Sequence, residues 1–165
     1  MRFKIRFAIV AVLLGSMSVP GQAADRDTLK NIRAIDVLIE TLPPEVESDG
    51  LTTAQLQADV ESRLRESGIQ ISKDASEAFY VNVNAHRTTA PGATVPEDRY
   101  MYNVEVNVNQ PVVVLRTNAL ELGTTWSRAT VGMTLLPRLV DSVRGDVRDI
   151  LDMFIDDFQS VNPKP

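Results

Sequence analysis

Residues 136–161, LPRLVDSVRGDVRDILDMFIDDFQSV, decide the fold. Leu136, Val140, Val143, Val147, Ile150, Phe154, Phe158 and Val161 recur at steps of three and four, the spacing of one face of an α-helix about seven turns long. Pro137 suits the first turn, where its missing N–H costs nothing. Pro163 and Pro165 stop the helix. The other faces are charged: Asp141, Arg144, Asp146, Arg148, Asp149, Asp152 and Asp156. A helix with one apolar stripe needs a flat apolar partner, and a sheet is the flat partner a chain can build.

Working outward, the strands are legible by alternation. Residues 32–42 place Ile35, Val37 and Ile39 against Asp36, Leu38 and Glu40. Residues 79–86 place Phe79, Val81, Val83 and Ala85 against Tyr80, Asn82, Asn84 and His86. Residues 100–109 place Tyr100, Tyr102, Val104, Val106 and Val108 against Met101, Asn103, Glu105, Asn107 and Asn109. Pro111 cannot donate to a ladder and marks a bulge or an edge. Residues 112–116 continue that strand, 117–123 form a turn, and 124–135 form the last strand. There Ala129, Val131, Met133 and Leu135 are the apolar set, predicted to face the core. Trp126 and Arg128 are then predicted to face outward. A one-residue bulge between Trp126 and Ala129 would reverse this and bury the tryptophan.

Residues 51–68 form the other helix. Thr52 and Gln55 make a capping box, and Leu51 and Leu56 a hydrophobic staple. Leu56, Val60 and Leu64 are its buried stripe. Gly68 suits the left-handed position after its C-terminus. Residues 45–50 read as an acidic loop, 69–71 as a short strand, and 88–98, with Pro91, Gly92 and Pro96, as a mobile surface loop. The predicted order is β-α-β-β-β-α. A right-handed crossover followed by a meander gives an α+β two-layer sandwich, with two helices on one face of a four-stranded mixed sheet.

The N-terminus reads as a secretory leader over residues 1–23. Arg2, Lys4 and Arg6 precede a short apolar run over 7–14, and small residues lead to a cleavage site at Gly21-Gln22-Ala23. The alternative is an uncleaved anchor. Cleavage leaves a single domain, residues 24–165. It removes three of the 17 basic residues and none of the 22 acidic ones, so the formal charge falls from −5 to −8. Such a chain is a poor partner for nucleic acid or anionic lipid. The expected location is the periplasm, or outside the cell, with no stable membrane insertion after cleavage. The chain has no cysteine, which excludes disulfides, thiolate nucleophiles and a lipid-modified N-terminal cysteine.

The chemistry-bearing residues are sparse. His86 is the single histidine, on a polar strand face, where a solvated side chain is expected. Asp149, Asp152 and Asp156 share a helix face, but a rigid row cannot wrap six to eight oxygens around calcium. Glu40, Glu45, Glu47 and Asp49 cluster beside a loop without an apolar pocket. Catalytic, cofactor and metal residues are therefore none. The sharpest candidate is the sheet face away from the helices. Tyr80, Asn82, Asn84, Asn103, Asn107, Trp126 and Arg128 make it a binding surface for another envelope protein or an envelope glycan. An ordinary wet sheet face is the plainer reading.

Gly50-Leu51-Thr52, Asp59-Val60-Glu61, Leu64-Arg65 and Gly68-Ile69, followed by Phe79-Tyr80-Val81, resemble a group of small exported bacterial proteins of unknown role. Gln110-Pro111-Val112, Arg116, Thr125-Trp126-Ser127 and Phe154 through Val161-Asn162-Pro163 extend the likeness over most of the chain. The layout is also similar to envelope accessory domains such as the N-terminal domain of the translocation protein TolB and the lipopolysaccharide-assembly lipoprotein LptE. The resemblance implies a non-catalytic binding or assembly role and carries over no catalytic residue. The alternatives are a carrier of a small apolar ligand between sheet and helices, or an enzyme subunit with an unrecognised site.

Overall fold

The computed structural model describes residues 25–89 and 98–163. The leader predicted at 1–23 and most of the loop predicted at 88–98 lie outside the described residues.

The chain forms an α+β two-layer sandwich. Strand β1 (Ala34–Ile39) leads into two helices, α1 (Pro44–Ser48) and α2 (Thr53–Glu66). Strands β2 (Gln70–Ile71), β3 (Ala78–Thr89), β4 (Asp98–Val114) and β5 (Ala119–Leu135) follow. A 3₁₀ turn (Leu136–Arg138) then opens into the long helix α3 (Leu139–Val161). The sheet order is β2-β1-β3-β4-β5. β1 is parallel to both β2 and β3, and β3, β4 and β5 form an antiparallel meander. The sheet thus has five strands rather than four, because residues 70–71 add a short edge.

Local signals explain most boundaries. Thr52 Oγ1 accepts from the Gln55 amide at 3.2 Å, and the Gln55 side chain accepts from the Thr52 amide at 2.9 Å, so the capping box is complete. Gly68 sits at φ +82°, and the Ile69 amide donates to the Leu64 carbonyl at 3.0 Å, closing α2 with a left-handed residue. Residues 45–50, expected as a loop, instead wind into α1. Pro44 is placed for a first helical turn and Val46 is fully buried, so one short turn closes a corner of the core. The turn expected over 117–123 is shorter and earlier: β4 ends at Val114 and β5 begins at Ala119, five residues before the strand read from alternation.

The core is one cluster between sheet and helices. Ile35, Val37, Phe79, Val81, Val83, Val104, Val106 and Val108 face Leu56, Val60 and Leu64 of α2 and Val143, Val147, Ile150, Leu151, Phe154 and Ile155 of α3. The α3 stripe is broader than the sequence spacing gives. Leu139, Leu151 and Ile155 are buried, while Val140, Phe158 and Val161 are half-buried at its margin. Phe154 is the hub. Its ring centroid lies 4.9 Å from Phe79, 5.3 Å from Trp126 and 5.9 Å from Phe158. Asn162 fastens the end of α3 to the start of the domain. Its side-chain amide donates to the Leu29 carbonyl at 2.9 Å and its carbonyl oxygen accepts from the Asn31 amide at 2.7 Å.

Two substitutions on α3 test this packing in opposite directions. Phe154→Ala should cost about 3–5 kcal/mol, because three aromatic neighbours lose their shared contact. A Cβ at Gly145 would meet nothing within 4 Å, so Gly145→Ala should gain about 0.5–1 kcal/mol from helix propensity alone. Denaturant midpoints of the two variants, expected on either side of wild type, check both.

Candidate functional site

β3 to β5 present one covered and one open face, and the register decides which residue lies on which. Tyr80 pairs with Asn107, which pairs with Ser127. Asn82 pairs with Glu105 and Ala129, Asn84 with Asn103 and Val131, and His86 with Met101 and Met133. These rows lie on the face away from the helices. Tyr80, Asn82, Asn84, Asn103 and Asn107 are therefore brought together as expected. Asn84 donates to Asn82 at 3.0 Å, Asn107 donates to Glu105 at 2.9 Å, and the Tyr80 hydroxyl donates to Glu40. Asn84, His86, Met101, Asn103 and Val131 line an open, shallow dish in the middle of the face.

Trp126 and Arg128 are not part of it. The structure places both on the covered face, opposite Val108 and Val106. Trp126 is 1% exposed. Alternation in the last strand is thus correct in period and opposite in sense: Ala129, Val131, Met133 and Leu135 point outward. The reversal does not come from a bulge between Trp126 and Ala129. The irregularity lies one residue earlier, at Thr125, where Val108 pairs with Trp126 but Asn109 pairs with Thr124. Three contacts hold this sense. Trp126 fills the space beside Phe154. Gly132 lies beneath the Tyr102 ring, where an added Cβ would come within 2.3 Å of ring atoms. Thr134 reaches Ser142 of α3 at 2.9 Å. The far half of β5 meets the polar first turns of α3 and needs small or polar residues inward, leaving its apolar ones outside.

Trp126 and Arg128 form a structural site with Asp157 of α3. Asp157 sits near the negative end of the α3 dipole, an unfavourable position for a carboxylate. It accepts the Trp126 indole N–H at 2.9 Å and an Arg128 N–H at 3.3 Å. Arg128 stacks over the Trp126 ring at 4.8 Å and also approaches Asp25 at 3.6 Å. The charge at the helix end is offset by its own arginine.

Four of the carboxylates weighed for chemistry, Glu40, Glu47, Asp49 and Asp152, have structural partners. Glu47 accepts from both the amide and the hydroxyl of Thr53, at 3.3 and 3.0 Å. Asp49 accepts the Tyr100 hydroxyl at 2.6 Å and lies 3.6 Å from Arg87. Asp152, one of the charged residues off the apolar stripe, faces α2, where it accepts from Arg63 at 2.9 Å. Beside it Arg144 makes a two-pronged bond to Asp59, at 2.6 and 2.9 Å. Among the described residues no three of His, Cys, Asp and Glu gather where they could hold a metal ion. None of their helices is long and apolar enough to cross a membrane.

Two tyrosines carry the largest electrostatic perturbation. Burial, then the hydrogen bond and negative charge of Asp49, push Tyr100 up to about 12. Burial, then Asp146, whose carboxylate accepts the hydroxyl at 2.8 Å, push Tyr102 up to about 12. Both therefore stay protonated donors at neutral pH and join the sheet to α1 and α3.

No protein-family model matches the chain, and no curated protein matches it. Solved structures do align with it. A minor lipoprotein of Acinetobacter baumannii is 14% identical, with a TM-score of 0.35 over 78% of this chain and 94% of that one. A Xanthomonas campestris protein of the DUF330 group is 8% identical, with a TM-score of 0.45 over 80% and 88%. A putative neuraminyllactose-binding hemagglutinin homolog of Helicobacter pylori is 9% identical, with a TM-score of 0.42 over 80% and 92%. Residue roles do not carry across likenesses this low.

Two measurements follow from these contacts. Trp126 emission should be blue-shifted and shielded from iodide. Asp157→Ala should cost about 1–3 kcal/mol by stranding the indole N–H and the guanidinium, and should red-shift the emission. The tyrosines give a pH signature. Their folded pKa values lie above the ordinary value near 10, so the unfolded chain loses these protons first. Their contribution to stability is complete below pH 10 and is lost between about pH 10 and 12. Absorbance at 295 nm should show Tyr100 and Tyr102 ionising late, with Tyr102→Phe removing one late step.

Proposed function

We propose that this protein is an exported, non-catalytic binding or assembly module of the bacterial cell envelope, which engages another envelope protein through the open face of β3 to β5. One observation carries this reading: the composition of that face. The formal charge after leader removal is −8, yet the rows from Tyr80 to Met133 hold a single carboxylate, Glu105, among amides, Met101, Val131 and Met133. Depletion of charge with enrichment in methionine and aromatic residues is the compositional mark of protein interfaces. The amides supply hydrogen bonds whose partners a second protein can complete, and the methionines adapt to its shape. The layer between sheet and helices is occupied by the rings of Phe79, Trp126 and Phe154, so the face favours a docking surface over an internal ligand carrier.

The reading makes Trp126 part of the support and the open face the contact. A photo-crosslinking residue at Asn103 or Val131 should yield a discrete adduct in the envelope fraction, and one at Asp149 on α3 should not. Val131→Arg should remove the Asn103 adduct while leaving the denaturation midpoint within about 0.5 kcal/mol of wild type. Equal labelling from Asp149 would reject the face. Intact mass of the recovered protein tests export, with loss of residues 1–23 expected.

A further inference from the structure

The β4–β5 hairpin outruns the rest of the sheet. The last rung that β3 shares with β4 is Ala78–Asn109, so residues 110–114 and 119–123 form a ribbon of two strands only. Its turn is well defined. The Asn118 amide donates to the Val114 carbonyl at 2.8 Å, with Asn118 in the left-handed region at φ +52°. No residue from 109 to 125 is buried, so the core does not need the side chains of this arm. They are apolar all the same. Pro111 pairs with Leu122 and Val113 with Leu120, which places these four on the open face, and Leu115 stands at the turn. Leu115 is 93% exposed, Leu120 70%, Leu122 68% and Val113 52%.

Size and charge decide what covers this patch. It is separate from the row at Val131, because Asn107, Asn109, Thr124 and Ser127 lie between them. At roughly 60–120 Å² of apolar surface per Val or Leu side chain, the exposed fractions of Val113, Leu115, Leu120 and Leu122 amount to roughly 170–340 Å². A standard protein interface takes about 800 Å² from each partner. The arm is too small to hold a protein by itself. A lipid surface needs only a few apolar side chains dipped about 5–10 Å into its interfacial layer. Charge favours the same occupant. The formal charge after leader removal is −8, yet residues 110–124 carry only Arg116 and Glu121, which cancel. The arm can therefore approach phosphate headgroups while the acidic body stays off them.

We propose that the β4–β5 arm attaches this protein to the surface of a zwitterionic phospholipid bilayer. The ribbon lies along the surface with its open face down. Stacked sheets sit about 10 Å apart, so side chains stand about 5 Å off the ribbon. That sets Val113, Leu120 and Leu122 at interfacial depth. Upright insertion would carry the unpaired N–H and C=O groups of both ribbon edges into hydrocarbon, where nothing satisfies them. Lying flat leaves them in the wet headgroup layer. The stem of Arg116 follows the apolar surface while its guanidinium reaches the phosphates. Attachment is peripheral and reversible, because few side chains are buried. The assignment goes beyond the protein-binding face and does not rest on it.

Vesicles test this directly. The mature protein should cosediment with phosphatidylcholine vesicles at millimolar lipid. Leu115→Asp/Leu120→Asp should bind at least tenfold more weakly with an unchanged denaturation midpoint, and Val131→Arg should bind as wild type does. Partial replacement of the lipid by phosphatidylglycerol should weaken binding, because the body is acidic. The absence of cysteine allows a single label. An environment-sensitive dye at Leu115→Cys should shift to the blue on these vesicles, and one at Ala129→Cys should not. Nitroxide lipids labelled near the headgroup should quench the Leu115→Cys dye more than those labelled deep in the chain. A wild type that does not cosediment overturns the proposal. So does equal binding by Leu115→Asp/Leu120→Asp, stronger binding to the anionic vesicles, or stronger quenching from the deep label. A discrete protein adduct from a photo-crosslinker at Leu120, without vesicle binding, would assign the arm to a protein instead.

Discussion

The fold depends on one ring. Phe154 touches Phe79 from β3, Trp126 from β5 and Phe158 from its own helix, so one side chain of α3 spans the width of the antiparallel sheet. Everything else in the helical layer is consistent with that seat. The broad stripe from Leu139 to Ile155 follows the twist of the sheet beneath it, and the polar anchors sit where the stripe runs out. Asp146 takes the Tyr102 hydroxyl toward one end of the helix, and Asp157 takes the Trp126 indole and the Arg128 guanidinium toward the other. Apolar burial supplies the attraction, and the two carboxylates fix the angle at which the helix lies.

Much of this was legible in the sequence, and for identifiable reasons. α2 carries its start and stop in its own residues, Thr52, Gln55 and Gly68, so its limits follow without tertiary information. β3 and the first half of β4 bury one face along their length, so alternation reads them correctly. β5 does not obey that logic. Its most apolar alternate set, Ala129 to Leu135, is the exposed one, because the covered face there meets the hydroxyls and carboxylates of the first turns of α3. Period-two sorting recovers the period and misses the sense when the partner surface is polar. Two signals pointed the other way. A lone tryptophan is far more often buried than wet, and Asp157 at the negative end of a helix implies a cation beside it, which Arg128 supplies.

The candidate site was half legible for the same reason. The five residues of β3 and β4, Tyr80, Asn82, Asn84, Asn103 and Asn107, share the open face, while the two from β5 belong to the core edge. What replaces them on the face is a row of aliphatic and thioether side chains, Ala129, Val131 and Met133. The surface therefore sets aliphatic and thioether side chains beside its amides and Tyr80.

α3 follows the meander in sequence, and that order has a kinetic consequence. β3, β4 and β5 are joined by near-neighbour hairpins, which close within microseconds, but Phe79 and Phe154 are 75 residues apart in sequence. The meander therefore exists before its cover does. During synthesis the part of the inner face that α3 covers stays wet until residues 139–161 arrive. That interval is when the chain is most exposed to proteases and to its own kind. A product interrupted between residues 136 and 153 would carry all five strands with α2 but not Phe154 to cover them, and would be removed or would aggregate rather than persist as a smaller folded protein.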